Sequence, residues 1–351
     1  VTRGPIQLSF TGPVTLVHGD VDGEPRVLFN RDGVPRAVTL PAPAKRADPP
    51  AKNAKPAAPE RLSLGEPAER ASSPACAAAG GSLFCLDRAG AVHRSGPGGE
   101  GSTVVAQARA GSPVAAASFA GGHLVYAFLA DRATTEGATT LAFAAVDDGP
   151  PTTLSEDGSG ATFVSLATRG EEALAMYIDA RRVLTPVHAR VLRFTGKLGL
   201  GPDAVLFVGS GTDGRTAGAI ARGATGHELV LLPIDRDERT FGLAAIRVED
   251  QPRDDAATTW STYPAAPERG VVAATNGAWP IRVLRVRPVD AQPKAQGVLE
   301  LGEVDAAGVW KELCPVAQSA TFRDLAMHVD RTGALWIAYT DGEGTWIERR
   351  Q

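Results

Sequence analysis

The chain has 351 residues, 43% of them apolar and 22% charged, with 39 Gly, 26 Pro and a formal net charge of −4. That composition excludes a largely disordered chain and describes a globular one rich in turns. The small negative charge gives no reason to expect nucleic-acid binding or electrostatic adhesion to an anionic membrane.

In chain order, "PIQLSF" (residues 5–10) reads as a strand with no local partner, and the first of a series of similar units follows it. Each unit has a half-buried strand, a Gly-containing turn, a more apolar strand, and then Asp or Asn opening a charged turn. The turn-opening residues are Asn30, Asp87, Asp131, Asp179, Asp235, Asp290 and Asp341, spaced 44 to 57 residues apart. A strand-built period of about 50 residues is the pattern of propeller blades. Each interval leaves room for two further strands, such as "GAVHRSG" and "GSTVVAQA", which makes four per unit.

Within the first unit, "PAPAKRADPPAKNAKPAAPE" (residues 41–60) replaces the alternating pattern with Pro, Ala and basic residues. It reads as a semi-extended loop between the third and fourth strands. Lys45, Arg46, Lys52 and Lys55, against Asp48 and with Glu60 set aside as the flank, make it a candidate tether for an acidic partner surface.

The second unit contains "ACAAAGGSLFC". A two-residue turn at Gly80–Gly81 sets Cys76 opposite Cys85 at a non-hydrogen-bonded position, where Cα atoms lie about 4.5 Å apart. That separation suits a disulfide, which points to an oxidising compartment. The third cysteine, Cys314, is left as a buried thiol.

The charge-free run from Gly111 to Ala130 is interrupted by Pro113, Gly121, Gly122 and His123, so it reads as two strands and a turn rather than a membrane span. Small residues in "AAAS" (115–118), "GAIA" (218–221) and "VVAA" (271–274) suit crowded inner strands. A helical reading fails because Gly, Pro and β-branched residues recur every few positions. The last unit ends soon after "GTWIERR" and lacks a fourth strand, which residues 5–10 supply by pairing beside 345–349. That joins the termini and removes open sheet edges.

The repeats resemble the seven-bladed β-propeller families. "DRTGALWIAYTDGEG" (residues 330–344) is similar to the D-x-x-G-x-L-W-x-x-x-T repeats of bacterial regulator-type and related extracytoplasmic propellers. The expected fold is all-β: one seven-bladed propeller domain over residues 1–351, four antiparallel strands per blade, closed by residues 5–10. A chain that begins at Val1 without Met reads as a mature or trimmed form.

Fold alone does not set function. "HVDRTGALW" departs from the sialidase Asp-box in its spacing and in His328, and the Trp-docking repeats of quinone-dependent dehydrogenases are missing. "GDVDGE" offers Asp20, Asp22 and Glu24 at alternate positions, but Pro25 stands where a calcium loop needs its Gly. The six histidines have no zinc-ligand spacing, and no Walker, Rossmann or G-x-S-x-G motif occurs in its required context. No cofactor, metal or catalytic set is therefore expected.

What remains is the series of turns after each second strand. Asp there opens turns by bonding its own backbone, while Arg31, Arg88, Arg132, Arg181, Arg182 and Arg236, with Asp290, form a candidate binding face. Arg makes bidentate contacts with a partner's carboxylates. The expected function is a non-catalytic, protein-binding scaffold in a bacterial extracytoplasmic assembly. The alternative is a carbohydrate-active propeller using Trp260, Trp279 or Trp310 as a sugar platform.

Overall fold

The computed structural model describes residues 3–8, 15–18, 25–31, 34–40, 60–62, 76–96, 101–134, 137–156, 159–179, 185–209, 219–222, 227–235, 240–247, 257–264, 271–274, 280–288, 297–305, 309–319, 321–329 and 333–350. Among these every regular element is a strand, and no helix is long and apolar enough to cross a membrane.

Seven sheets are present among the described residues. The first holds β2 (Thr15–His18), β3 (Pro25–Arg31) and β4 (Val34–Thr39). The second holds β6 (Cys76–Ala79), β7 (Ser82–Leu86), β8 (Ala91–Ser95) and β9 (Thr103–Gln107). The third is β10 (Val114–Ser118), β11 (Leu124–Thr134), β12 (Gly137–Val146) and β13 (Thr152–Thr153). In the fourth, β14 (Ala161–Arg169), β15 (Glu172–Asp179) and β16 (Thr185–Phe194) are followed by an outer strand broken into β17 (Leu198–Leu200) and β18 (Ala204–Gly209). The fifth is β19 (Ala219–Arg222), β20 (His227–Asp235), β21 (Thr240–Arg247) and β22 (Ala257–Pro264). The sixth is β23 (Val271–Ala274), β24 (Ile281–Pro288), β25 (Gly297–Val304) and β26 (Trp310–Ser319). The seventh runs β27 (Arg323–Val329), β28 (Leu335–Thr340), β29 (Thr345–Arg350), β1 (Arg3–Leu8) and β5 (Glu60–Leu62).

Meander order follows from short polar turns between strands of alternating pattern. Gly80 and Gly81, at φ 48° and 73°, supply the left-handed conformations of the tight turn between β6 and β7. Cys76 then pairs with Cys85, their Cα atoms 4.2 Å apart, and the two are disulfide-bonded as their spacing predicts. The run 111–130 forms β10 and β11 with a turn between them.

Small first strands let neighbouring sheets approach closely. β10, β19 and β23 contain the Ala-rich stretches, and contacts between first strands run β2 to β6, β10, β14, β19, β23, β27 and back to β2. Apolar side chains fill the spaces between sheets. Phe84, Tyr126 and Phe128 pack between the second and third, and Val125, Val164 and Tyr177 between the third and fourth. Leu8, Val27, Leu40, Trp336 and Ile347 join the seventh to the first. Each sheet is covered by its neighbours because none buries both faces alone. The architecture is that of a β-propeller.

The pairing expected between the two ends of the chain is present. β1 lies antiparallel to β29, with Ile6 opposite Ile347 and Gln7 opposite Trp346. The Pro/Ala/Lys-rich stretch lies outside the described residues apart from its last residue, Glu60. The strand that follows it, β5, pairs in parallel with β1 instead of extending the first sheet. β1 offers the open hydrogen-bonding edge that a short strand can cover.

Candidate functional site

The turns after the second strands show why Asp recurs there. Asp87 Oδ1 accepts the backbone N–H groups of Ala89 and Ala91 at 2.9 and 2.8 Å. Asp341 Oδ1 accepts those of Glu343 and Gly344 at 2.8 and 3.1 Å. Asp131 departs from the expectation: it opens no turn but lies within β11, paired with Thr140, whose hydroxyl donates to its carboxylate, because that hairpin runs on to Thr134 and Gly137. Asp179 ends β15, is buried and takes the Gly160 N–H. These carboxylates are used by their own sheets. Arg88 and Arg132 are exposed beside them. Arg31 lies in β3, its backbone paired with Val34. Arg181, Arg182, Arg236 and Asp290 lie outside the described residues, as do Lys45, Arg46, Lys52 and Lys55.

At the seventh sheet the same turn carries more. Asp341 Oδ1 accepts a third hydrogen bond, from Trp346 Nε1 at 3.0 Å, which fixes the half-buried indole over the turn. Trp346 also packs against the cluster of Leu284, Leu299, Phe322 and Tyr339. All three bonds to Asp341 go to Oδ1, so Oδ2 remains an acceptor.

Gln7 sits directly across from Trp346 on β1 and donates from Nε2 to the Glu343 carbonyl at 3.1 Å, which leaves its own carbonyl oxygen as a second acceptor. Gly344, at φ 155°, is required here: a Cβ would lie 3.0 Å from Gln7 Nε2 on a backbone that side chains rarely adopt. Beneath the turn, the buried hydroxyls of Thr340 and Thr345 bond to each other at 3.1 Å. Turn, indole and amide are thus held by the strand that joins the two ends of the chain.

The tryptophans singled out from sequence fare differently. Trp310 is packed: the Arg285 guanidinium lies 4.4 Å from its ring centroid, and a Cβ on Gly302 would fall 2.2 Å from the ring. Arg285 in turn bonds the buried Glu300 at 3.0 Å. Trp260 belongs to β22, and Trp279 lies outside the described residues. Trp346 is not among them, because "GTWIERR" reads only as the strand on which the last unit ends. The available signal was its position five residues after a turn-opening Asp, across from Gln7.

Among the described residues no group of three or more His, Cys, Asp or Glu side chains is arranged to hold a metal ion.

No protein-family model matches the chain, and no curated protein is similar to it. Among solved structures it is similar to a six-bladed fungal β-propeller lectin, that of Aleuria aurantia, at 14% identity and a TM-score of 0.47, covering 78% of this chain and 90% of that one. It is also similar to the SapL1 lectin in complex with alpha methyl fucoside, at 15% identity and a TM-score of 0.47, covering 79% and 90%. A hypothetical protein from Leishmania major matches at 9% identity and a TM-score of 0.33, covering 67% and 82%.

Proposed function

We propose that the chain is a closed seven-bladed propeller, its last blade completed by β1, that binds carbohydrate at Trp346 in an oxidising, extracytoplasmic compartment. The blade count is supported by the seven sheets and the cyclic contacts of their first strands. The compartment is supported by the disulfide.

One observation carries the binding reading: a half-buried indole, tied through its N–H to Asp341, has two open acceptors beside it, Asp341 Oδ2 and the Gln7 carbonyl oxygen. A sugar ring supplies the complement, an apolar C–H face to lie on the indole and hydroxyl donors for the acceptors. The turn is already ordered by its own hydrogen bonds, so little is lost in fixing it on binding. The site contains no nucleophile paired with a base, and its chemistry is retention of a ligand. A glycan array followed by titration calorimetry tests this. At least one glycan is expected to bind, and Trp346→Ala is expected to weaken it by about tenfold or more, roughly 1.4 kcal/mol. Failure of every glycan to bind at millimolar concentration overturns the reading.

A second reading, a scaffold for protein partners, is favoured by the exposure of Arg88 and Arg132. Pull-down with the intact chain, compared with an Arg88→Glu, Arg132→Glu variant, tests it. Equal recovery of partners by both removes this reading.

A further inference from the structure

A second constellation, remote in sequence from Trp346, lies on the second sheet. Asp87 opens the turn between β7 and β8, and its Oδ2 lies 2.9 Å from His93 Nε2. The other ring nitrogen, Nδ1, lies 3.1 Å from the Ser102 hydroxyl. Ser102 immediately precedes β9, and the β8–β9 pairing is irregular between Val92 and His93. Such an irregularity re-aims a side chain, and here the imidazole meets both a carboxylate and a hydroxyl. His93 also stands opposite Cys85, whose bond to Cys76 anchors β7.

The roles are chemically distinct. The His93 hydrogen bond, with the Ala91 and Ala89 N–H groups, outweighs the opposing effect of burial and holds the Asp87 carboxyl below its ordinary range. An ionised Asp87 accepts the Nε2 proton. This tautomer turns the Nδ1 lone pair toward the Ser102 hydroxyl.

We propose that Ser102, His93 and Asp87 form an acyl-transfer centre that hydrolyses carboxylic esters, an activity separate from ligand retention at Trp346. Ser102 Oγ bonds to the ester carbonyl carbon as its proton passes to His93 Nδ1. Collapse of the tetrahedral species breaks the bond to the alcohol oxygen, which leaves with that proton. Water then repeats the sequence on the acyl-serine, releasing the carboxylic acid and restoring Ser102. Ester and water become acid and alcohol, with no further reactant. Ser102 is exposed, and the His93 and Asp87 side chains are 29% and 30% exposed. The centre is therefore open, and it suits short acyl groups that need no deep pocket.

The intact chain is incubated with 4-nitrophenyl acetate and, separately, with a fluorophosphonate probe located by peptide mass spectrometry. Hydrolysis is expected to fall about 100-fold in Ser102→Ala and in His93→Gln, the scale of general-base assistance, with the probe attached to Ser102. Both variants are checked by thermal unfolding; Ser102 is exposed, so its variant keeps the parent midpoint and its loss reads chemistry. Equal hydrolysis by parent and Ser102→Ala, or absence of the probe from Ser102, overturns the proposal.

Discussion

Asp203 turns inward where the outer strand of the fourth sheet breaks, and its Oδ2 lies 2.8 Å from Nδ1 of His188. The same oxygen accepts the Tyr177 hydroxyl at 2.9 Å, and Arg190 stands 3.4 Å from Oδ1. Burial raises the Asp203 pKa, but His188, Tyr177 and Arg190 together outweigh it, so the carboxyl sits below its ordinary value. Its contribution to stability is present above the unfolded-state value of about 3.9 and is lost as pH falls through the lower folded value. Urea midpoints measured across that acid range should fall in the parent and fall less steeply in Asp203→Asn. Identical slopes would remove Asp203 as a source of acid sensitivity. At neutral pH Asp203→Ala should cost about 3 kcal/mol, because it leaves polar groups that are mostly buried without their partner.

Reduction of the Cys76–Cys85 bond should lower stability without abolishing the fold. Its nine-residue separation closes a short loop, for which the chain-entropy model gives about 2.5 kcal/mol. Urea unfolding with and without reductant, alongside a Cys76→Ser, Cys85→Ser variant, measures it. A loss far above that would mean the bond supports more than its hairpin.

Gly302→Ala should destabilise by about 2 kcal/mol, the usual scale of overpacking. The added carbon would fall 2.2 Å from the Trp310 ring, over which the Arg285 guanidinium also lies. Trp310→Leu in the same chain should recover part of the loss; thermal unfolding of the single and double variants shows whether it does.

Arg285→Met should cost about 2 kcal/mol: it removes a guanidinium 3.0 Å from Glu300, a carboxylate that is 1% exposed, while Arg287 stays bonded to the other carboxylate oxygen. Pairing it with Glu300→Leu should return part of that stability, since apolar groups replace the buried charges while Arg287, which also loses its Glu300 partner, is 40% exposed and can turn to solvent. If the double variant is no better than the single one, the cost lies in Arg285's packing on Trp310.

A good deal of this molecule was legible in its sequence because it depends on local pattern. Strand alternation, Gly-containing turns and the recurrence of Asp or Asn at or near the end of the second strand specify repeated sheets, and the Gly80–Gly81 turn sets Cys76 against Cys85 by counting outward. The pairing of the first strand, expected at residues 5–10 and found at Arg3–Leu8, with the last was legible for a related reason: an unpartnered strand at one end matched a missing one at the other. What tertiary structure alone decided is which side chains meet across strands distant in sequence. Gln7 and Glu343 are 336 residues apart and hydrogen-bonded. Trp310 and Trp346 look alike in sequence, yet Arg285 covers one and Asp341 orients the other. The irregular β8–β9 pairing that brings His93 to Ser102, and the strand break that admits Asp203, depend on register. A tight turn fixes register for the hairpin it closes, as at Gly80–Gly81, but bulges and strand breaks farther out are set by the packing of whole sheets, and no short stretch of sequence records them.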